Sequence, residues 1–103
     1  MVIEDNVVYV AETVSYDSSW ILGIFTTREG AISACRDFIG SKIEEYKGWK
    51  GHTCDSDTND FAREHIEYYT MLDKHDFFDN RKYRDGSIDS PIVRVYELDR
   101  YIE

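Results

Sequence analysis

The sequence lacks the features of exported, membrane-spanning or disulfide-stabilised proteins. Its two cysteines, Cys35 and Cys54, form no Cys-x-x-Cys pair and are too few for a disulfide framework. No apolar run approaches the roughly 20 residues that a bilayer requires. The first ten residues carry two acidic side chains, where a signal peptide would carry positive charge. These absences predict a reduced, cytoplasmic protein without membrane contact.

Basic side chains are also scarce. The 103 residues include 12 Lys and Arg against 21 Asp and Glu, which gives a formal net charge of −9. DNA, RNA and anionic membranes bind cationic surfaces, so this balance argues against direct nucleic-acid binding. The sequence contains no Walker loop and no Gly-x-Gly-x-x-Gly, Gly-x-Ser-x-Gly or His-Glu-x-x-His motif. We therefore expect a protein that is not an enzyme, with no catalytic residue and no cofactor.

The apolar content is sufficient for one core. Hydrophobic residues make up 42% of the chain, with eight tyrosines and five phenylalanines, which is too many for a disordered acidic tail. The β-branched and aromatic residues at 7–14 predict a strand, and 20–25 predict a second one. The short turn between them predicts an antiparallel hairpin. Gly23 inside the second strand indicates a bulge or a close backbone approach.

A helix is predicted over 28–47, because apolar residues recur there at intervals of three and four. The members of this stripe are Ala31, Ala34, Cys35, Phe38, Ile39, Ile43 and Tyr46. At its start we expect a capping box, in which the Thr26 hydroxyl accepts a hydrogen bond from the Glu29 amide. Gly48 is expected to end the helix.

The second half of the chain is less regular. Residues 60–73 predict a second helix capped by Asp57, Thr58 or Asn59, although the high β-propensity of 66–72 leaves a strand open as the alternative. After a polar segment punctuated by Asp85-Gly86 and the lone proline, Pro91, residues 92–98 predict a last strand.

The predicted fold class is α+β, in the order β-β-α-α-β. A small antiparallel sheet would carry the long helix on one face. We expect residues 1–103 to form a single domain, in which 5–47 and 91–102 form a scaffold and 48–90 form an insertion.

Three segments resemble a group of short uncharacterised domains of bacteria and their phages. These are Val8-Tyr9-Val10, Leu22-Gly23-Ile24-Phe25-Thr26-Thr27-Arg28-Glu29-x-Ala31 and Val95-Tyr96-Glu97-Leu98-Asp99. The likeness covers roughly residues 7–39 and 92–99 and leaves out 48–90. It implies a β-β-α-β scaffold. The group has no established activity, so the resemblance implies no catalytic residue.

Two kinds of ligand site remain as alternatives, one for a metal ion and one for a small molecule. His52 and Cys54, with His65 and His75 further along, are donors that zinc accepts, but a second short-spaced pair is missing. The carboxylates of 55–60 alternate like those of a calcium loop, but the glycine and glutamate of the EF-hand pattern are absent. A small-molecule or nucleotide site could instead use Trp20, Trp49 and tyrosine rings for stacking.

The acidic charge is concentrated in one segment. Residues 55–79 hold eight acidic and two basic side chains, a net −6, and a small basic group of Arg81, Lys82 and Arg84 follows. The leading prediction is a non-enzymatic protein that binds and modulates a basic protein partner. A phage-encoded inhibitor of a host defence or nucleic-acid enzyme, with an acidic face in place of DNA, would fit. A homodimer is also compatible. The predicted partner-binding residues are Asp57, Asp60, Glu64, Glu67, Tyr68, Tyr69, Phe77 and Phe78.

Overall fold

Three strands and two helices form an α+β fold in the computed structural model, which describes residues 7–50, 56–78 and 81–97. The elements follow in the predicted order β-β-α-α-β. They are β1 (Val7–Val14), β2 (Ser19–Phe25), α1 (Arg28–Lys50), α2 (Ser56–Leu72), a short 3₁₀ turn (Arg81–Tyr83) and β3 (Ser90–Glu97). No helix in these ranges is long and apolar enough to cross a membrane.

The sheet is antiparallel, with strand order β2-β1-β3 and the predicted hairpin on one side. The β1–β2 register shifts between Ala11, which lies opposite Gly23, and Glu12, which lies opposite Ile21. Leu22 is therefore the extra residue of a β-bulge next to the glycine. A Cβ atom at Gly23 would lie 2.7 Å from the Phe25 ring, so the missing side chain makes room for that ring.

Strand β3 forms an edge of the sheet and begins two residues earlier than predicted. Its second residue is Pro91, which the sequence suggested as a break before the strand. A proline fits an edge strand because it has no N–H to give to a ladder. Val93 turns its N–H away from β1 and donates it to the Phe77 carbonyl oxygen at 3.1 Å. The first half of this edge is thus partly closed.

Helix α1 starts at the predicted residue, Arg28, and ends three residues beyond the predicted limit. Thr27, not Thr26, is the N-cap, and its Oγ1 accepts a hydrogen bond from the Gly30 N–H at 3.1 Å. The predicted capping box is wrong, because this shift puts glycine rather than glutamate at the third helical position. The helix also continues past Gly48, because Trp49 packs on Tyr46 with ring centroids 4.9 Å apart.

Helix α2 resolves the open choice over 66–72 in favour of a helix. It begins four residues before the predicted start, so residues 57–59 lie inside its first turns and the predicted caps are wrong. Ala62, Tyr69 and Leu72 are buried on one side of it. Packing of this side against α1 overrides the local preference for a strand.

The core joins the sheet to both helices. Its buried members are Ala11, Ala31, Cys35, Ile39, Tyr69, Leu72, Phe77 and Val93. The predicted stripe of α1 is confirmed, since Ala31, Cys35 and Ile39 are almost fully buried and the remaining members pack around them. The Cys35 thiol points at the Ile92 carbonyl oxygen, 3.8 Å away, and burial raises its pKa to about 12. This thiol is structural and inert.

Candidate functional site

The predicted partner-binding residues fall into an exposed group and a buried group. Asp60, Glu64 and Glu67 lie on α2 and are exposed to solvent. Tyr69 and Phe77 are only 1% and 2% exposed and belong to the core. A partner could reach these two rings only if the fold opened, so we remove them from the predicted surface. The side chain of Asp57 lies outside the described residues.

The hydroxyl groups of Tyr68 and Tyr69 fasten α2 to the segment that leads into β3. Tyr68 accepts a hydrogen bond from the Asp85 N–H at 2.8 Å and lies 2.6 Å from the Ser90 hydroxyl. Tyr69 donates to the Asp89 carbonyl oxygen at 2.7 Å. Burial raises the pKa of both phenols above the ordinary value. Both tyrosines therefore have a structural role that the sequence pattern did not predict.

Phe78 is also engaged within the fold. Its ring meets that of Tyr9 edge-on, with centroids 6.1 Å apart. The guanidinium of Arg28 lies over the same ring at 4.0 Å. These contacts leave the ring half-buried, so it offers little free area to a partner.

Several acidic side chains of 55–79 have basic partners in the fold. Asp60 lies 2.9 Å from Arg63, one turn along the same helix. Two arginines of α1 reach the later acids, with Arg36 at 3.7 Å from Asp73 and Arg28 at 3.9 Å from Asp76. Such exposed pairs each contribute less than about 1 kcal/mol to stability. They do reduce the local negative charge.

Glu64 and Glu67 differ from these acidic residues, because they have no described basic partner. Both are exposed, and neither forms a salt bridge with any residue that the structure describes. With Asp60 they occupy positions three and four residues apart, on the side of α2 opposite its buried residues. Neighbouring side chains at this spacing lie about 5–6 Å apart. We call Asp60, Glu64 and Glu67 the acidic stripe.

An aromatic cluster lies where the end of α1 meets the start of α2. Four rings form it, and we call it the aromatic tip: Tyr46, Trp49, Phe61 and His65. Phe61 and His65 have centroids 4.0 Å apart, and the Trp49 and Phe61 rings lie nearly parallel at 6.1 Å. His65 is held by a 2.8 Å hydrogen bond between its Nδ1 and the Phe61 carbonyl oxygen.

Two rings of the aromatic tip are accessible from solvent. Trp49 is 42% exposed and Phe61 is 46% exposed. Phe61 lies three residues before Glu64 in α2, and side chains at this spacing are neighbours on a helix surface, so the aromatic tip adjoins the acidic stripe. The sequence pattern alone does not show that Phe61 is exposed, because only the pairing of α1 with α2 determines which aromatic residues of α2 reach the surface.

The alternative ligand sites receive little support from the geometry. His52 and Cys54 lie outside the described residues. His75 stacks on Tyr83 with centroids 3.7 Å apart. Among the residues that the structure describes, no three His, Cys, Asp or Glu side chains form a group that could hold a metal ion. Trp20 lies on β2 and Trp49 in the last turn of α1, so the two tryptophans belong to different elements.

Comparisons with protein-family models, with curated proteins and with solved structures gave no match to this chain. The resemblance to short bacterial and phage domains stays a prediction.

Proposed function

We propose that this chain is a protein-binding module that engages a basic protein through the acidic stripe and the aromatic tip. One observation carries the proposal. Two exposed carboxylates without a described counter-ion, Glu64 and Glu67, continue along one helix from the exposed ring of Phe61. Aromatic residues surrounded by charged and polar ones are characteristic of the residues that contribute most to protein interfaces. The negative charge would also speed encounter with a cationic partner.

The partner that suits this surface has a cationic groove wide enough for a helix. Nucleic-acid-handling proteins have such grooves, because they bind phosphates. The acidic stripe has a carboxylate about every 5–6 Å, whereas duplex DNA has a charge about every 1.7 Å of its axis. The stripe would occupy only part of such a groove. The module would then act by competing with nucleic acid for that groove.

Charge reversal on α2 tests the proposal. We expect the double variant Glu64→Lys, Glu67→Lys to lose a partner that the wild-type chain retains from a host lysate. Affinity for the purified partner should fall by about tenfold or more, because favourable pairs are lost and repulsion replaces them. The wild-type interaction should also weaken as salt is raised.

The matched control is Asp37→Lys, Glu44→Lys, which changes the net charge equally on the exposed side of α1. It should bind nearly as well as the wild type. Equal affinities of the wild type and the α2 variant at low salt would refute a role for the acidic stripe. Equal losses in both variants would show that net charge matters and the surface does not.

The aromatic tip has its own test. Phe61→Ala should weaken binding to the purified partner, and Tyr83→Ala, which removes another partly exposed ring, should not. Circular dichroism of both variants checks that the helices are retained. Binding that is unchanged by Phe61→Ala would restrict the interface to the acidic stripe.

A further inference from the structure

An open pocket of about 480 Å³ lies beside the turn between β1 and β2. One side is formed by the end of β1 and by residues 15–19, and the other by Arg84 and Arg94. The volume falls within the range of about 300–1,000 Å³ that is usual for small-molecule sites. Its walls are mainly polar, with three serines and two arginines, so it suits a polar ligand. No residue of the acidic stripe lines this pocket.

The fold holds the loop that carries Arg84 in place. The Tyr68 hydroxyl accepts a hydrogen bond from the Asp85 N–H at 2.8 Å, and Tyr16 donates its N–H to the Gly86 carbonyl oxygen at 2.7 Å. A Cβ atom at Gly86 would overlap the Tyr16 ring, so the glycine allows that ring to lie against the loop. The loop and the β1–β2 turn therefore form one connected rim around the pocket.

The two arginines differ in their partners. Arg94 places its Nε 2.8 Å from a Glu12 carboxylate oxygen, and its side chain remains 49% exposed. Arg84 forms no salt bridge with any residue in the described ranges. The chain has far more acidic than basic side chains, so an arginine without a carboxylate is unexpected here. Glu12 offsets the charge of Arg94, so a bound anion would serve mainly as the counter-ion that Arg84 lacks among the described residues.

We propose that this pocket binds the phosphate group of a small phosphate monoester. Guanidinium groups present donors in the planar arrangement that matches phosphate oxygens, and serine hydroxyls add further donors. The Ser15 and Ser18 hydroxyls lie 3.3 Å apart at the pocket, and the Ser15 N–H is already used by the Ser18 carbonyl oxygen. The hydrogen bond from the Ser15 N–H to the Ser18 carbonyl oxygen fixes the turn that carries both hydroxyls.

The remaining wall residues narrow the class of ligand. Asp17 also lines the pocket, and its carboxylate opposes the binding of any anion, which limits the ligand to the one phosphate that the arginines can hold. The same carboxylate accepts hydrogen bonds from ligand hydroxyls. The Tyr16 ring is 82% exposed beside the pocket and offers a flat surface to the rest of the molecule. We therefore assign to the pocket a ligand with one phosphate on a hydroxyl-bearing body, such as a sugar or nucleoside monophosphate.

Calorimetric titration of the full chain tests this assignment. The probes are ribose 5-phosphate, adenosine monophosphate, inorganic phosphate and adenosine. We expect both monoesters to bind at millimolar concentration or below, inorganic phosphate to bind more weakly, and adenosine not to bind. Absence of saturable binding by either monoester would overturn the proposal. Equal affinity for ribose 5-phosphate and inorganic phosphate would overturn the assignment to a monoester.

Two arginine variants locate the site. Arg84→Gln should lower monoester affinity by about tenfold or more, because it removes charged hydrogen-bond donors. Arg63→Gln removes the same charge from α2, away from the pocket, and should change the affinity less than about twofold. Equal effects of the two variants would overturn the site.

Nuclear magnetic resonance of the wild-type chain gives an independent result if Arg84→Gln does not fold. Amide signals of residues 15–19 and 84–94 should shift on addition of ribose 5-phosphate. Shifts confined to other parts of the chain would refute the pocket as the binding site.

Discussion

Replacing Tyr69 by phenylalanine removes one oxygen atom from the inside of the fold. The ring is 1% exposed, and its hydroxyl donates to the Asp89 carbonyl oxygen at 2.7 Å. The change keeps the apolar packing and leaves that carbonyl without its donor. Loss of such a bond destabilises a protein by about 1–2 kcal/mol. For a domain of this size the melting temperature should fall by roughly 5–10 °C.

Tyr83→Phe is the matched control for this change. Its hydroxyl has no hydrogen-bond partner among the described residues, while its ring stacks on His75. Removing that oxygen should change the free energy of unfolding by less than about 0.5 kcal/mol. Urea unfolding of both variants, with the slope m compared, measures the two effects. Equal stabilities of the two variants would show that the Tyr69 hydroxyl does not anchor the segment before β3.

Two further changes test the helix cap and the buried thiol. Thr27→Ala should destabilise the protein by about 1 kcal/mol, whereas Thr26→Ala should be nearly neutral, because only the Thr27 hydroxyl caps α1; urea unfolding would contradict this if the losses were equal. The Cys35 thiol stays protonated in the folded state up to a pKa of about 12, whereas in the unfolded chain it ionises near pH 9. The contribution of this thiol to the free energy of unfolding is therefore fully present below about pH 9. It falls at higher pH, by at most about 1.4 kcal/mol per pH unit. Cys35→Ala should show a shallower decline, and parallel curves would refute the assignment.

The parts of the fold that depend on local patterns could be predicted from the sequence. The hairpin follows from two β-branched runs around a turn, and the stripe of α1 follows from its spacing. The predicted limits of the helices and strands were wrong by up to four residues. One cause is that neighbouring residues can fill the same local role. Thr26 and Thr27 can both cap a helix, and only the Gly30 N–H position shows which one does.

The parts that depend on distant contacts could not be predicted. Gly48 is an ordinary helix end until Trp49 stacks on Phe61 of α2 and holds the last turn of α1. Tyr68 and Tyr69 look like surface aromatics among acids, but their hydrogen-bond partners lie 17 to 22 residues further along the chain.

The candidate sites also divide into features that local sequence patterns predict and features that depend on contacts between distant segments. The acidic stripe was predictable, because three residues at helical spacing share one side of a helix whatever surrounds it. The aromatic tip needed the pairing of α1 with α2. The pocket needed three separate segments, which supply the turn at 15–19, Arg84 and Arg94. No periodicity connects these segments, and Arg84 appeared in the sequence only as part of a short basic group.

The two edges of the sheet differ, and the difference determines where the sheet could grow. Along the first half of β3, Pro91 offers no N–H and Phe77 occupies that of Val93. Along β2 no residue is charged, and Ile21 and Ile24 are 58% and 62% exposed. Charged edge residues are a common barrier to strand addition, and β2 has none. Of the two edges that the structure describes, β2 is therefore the more open to the addition of a strand from another molecule.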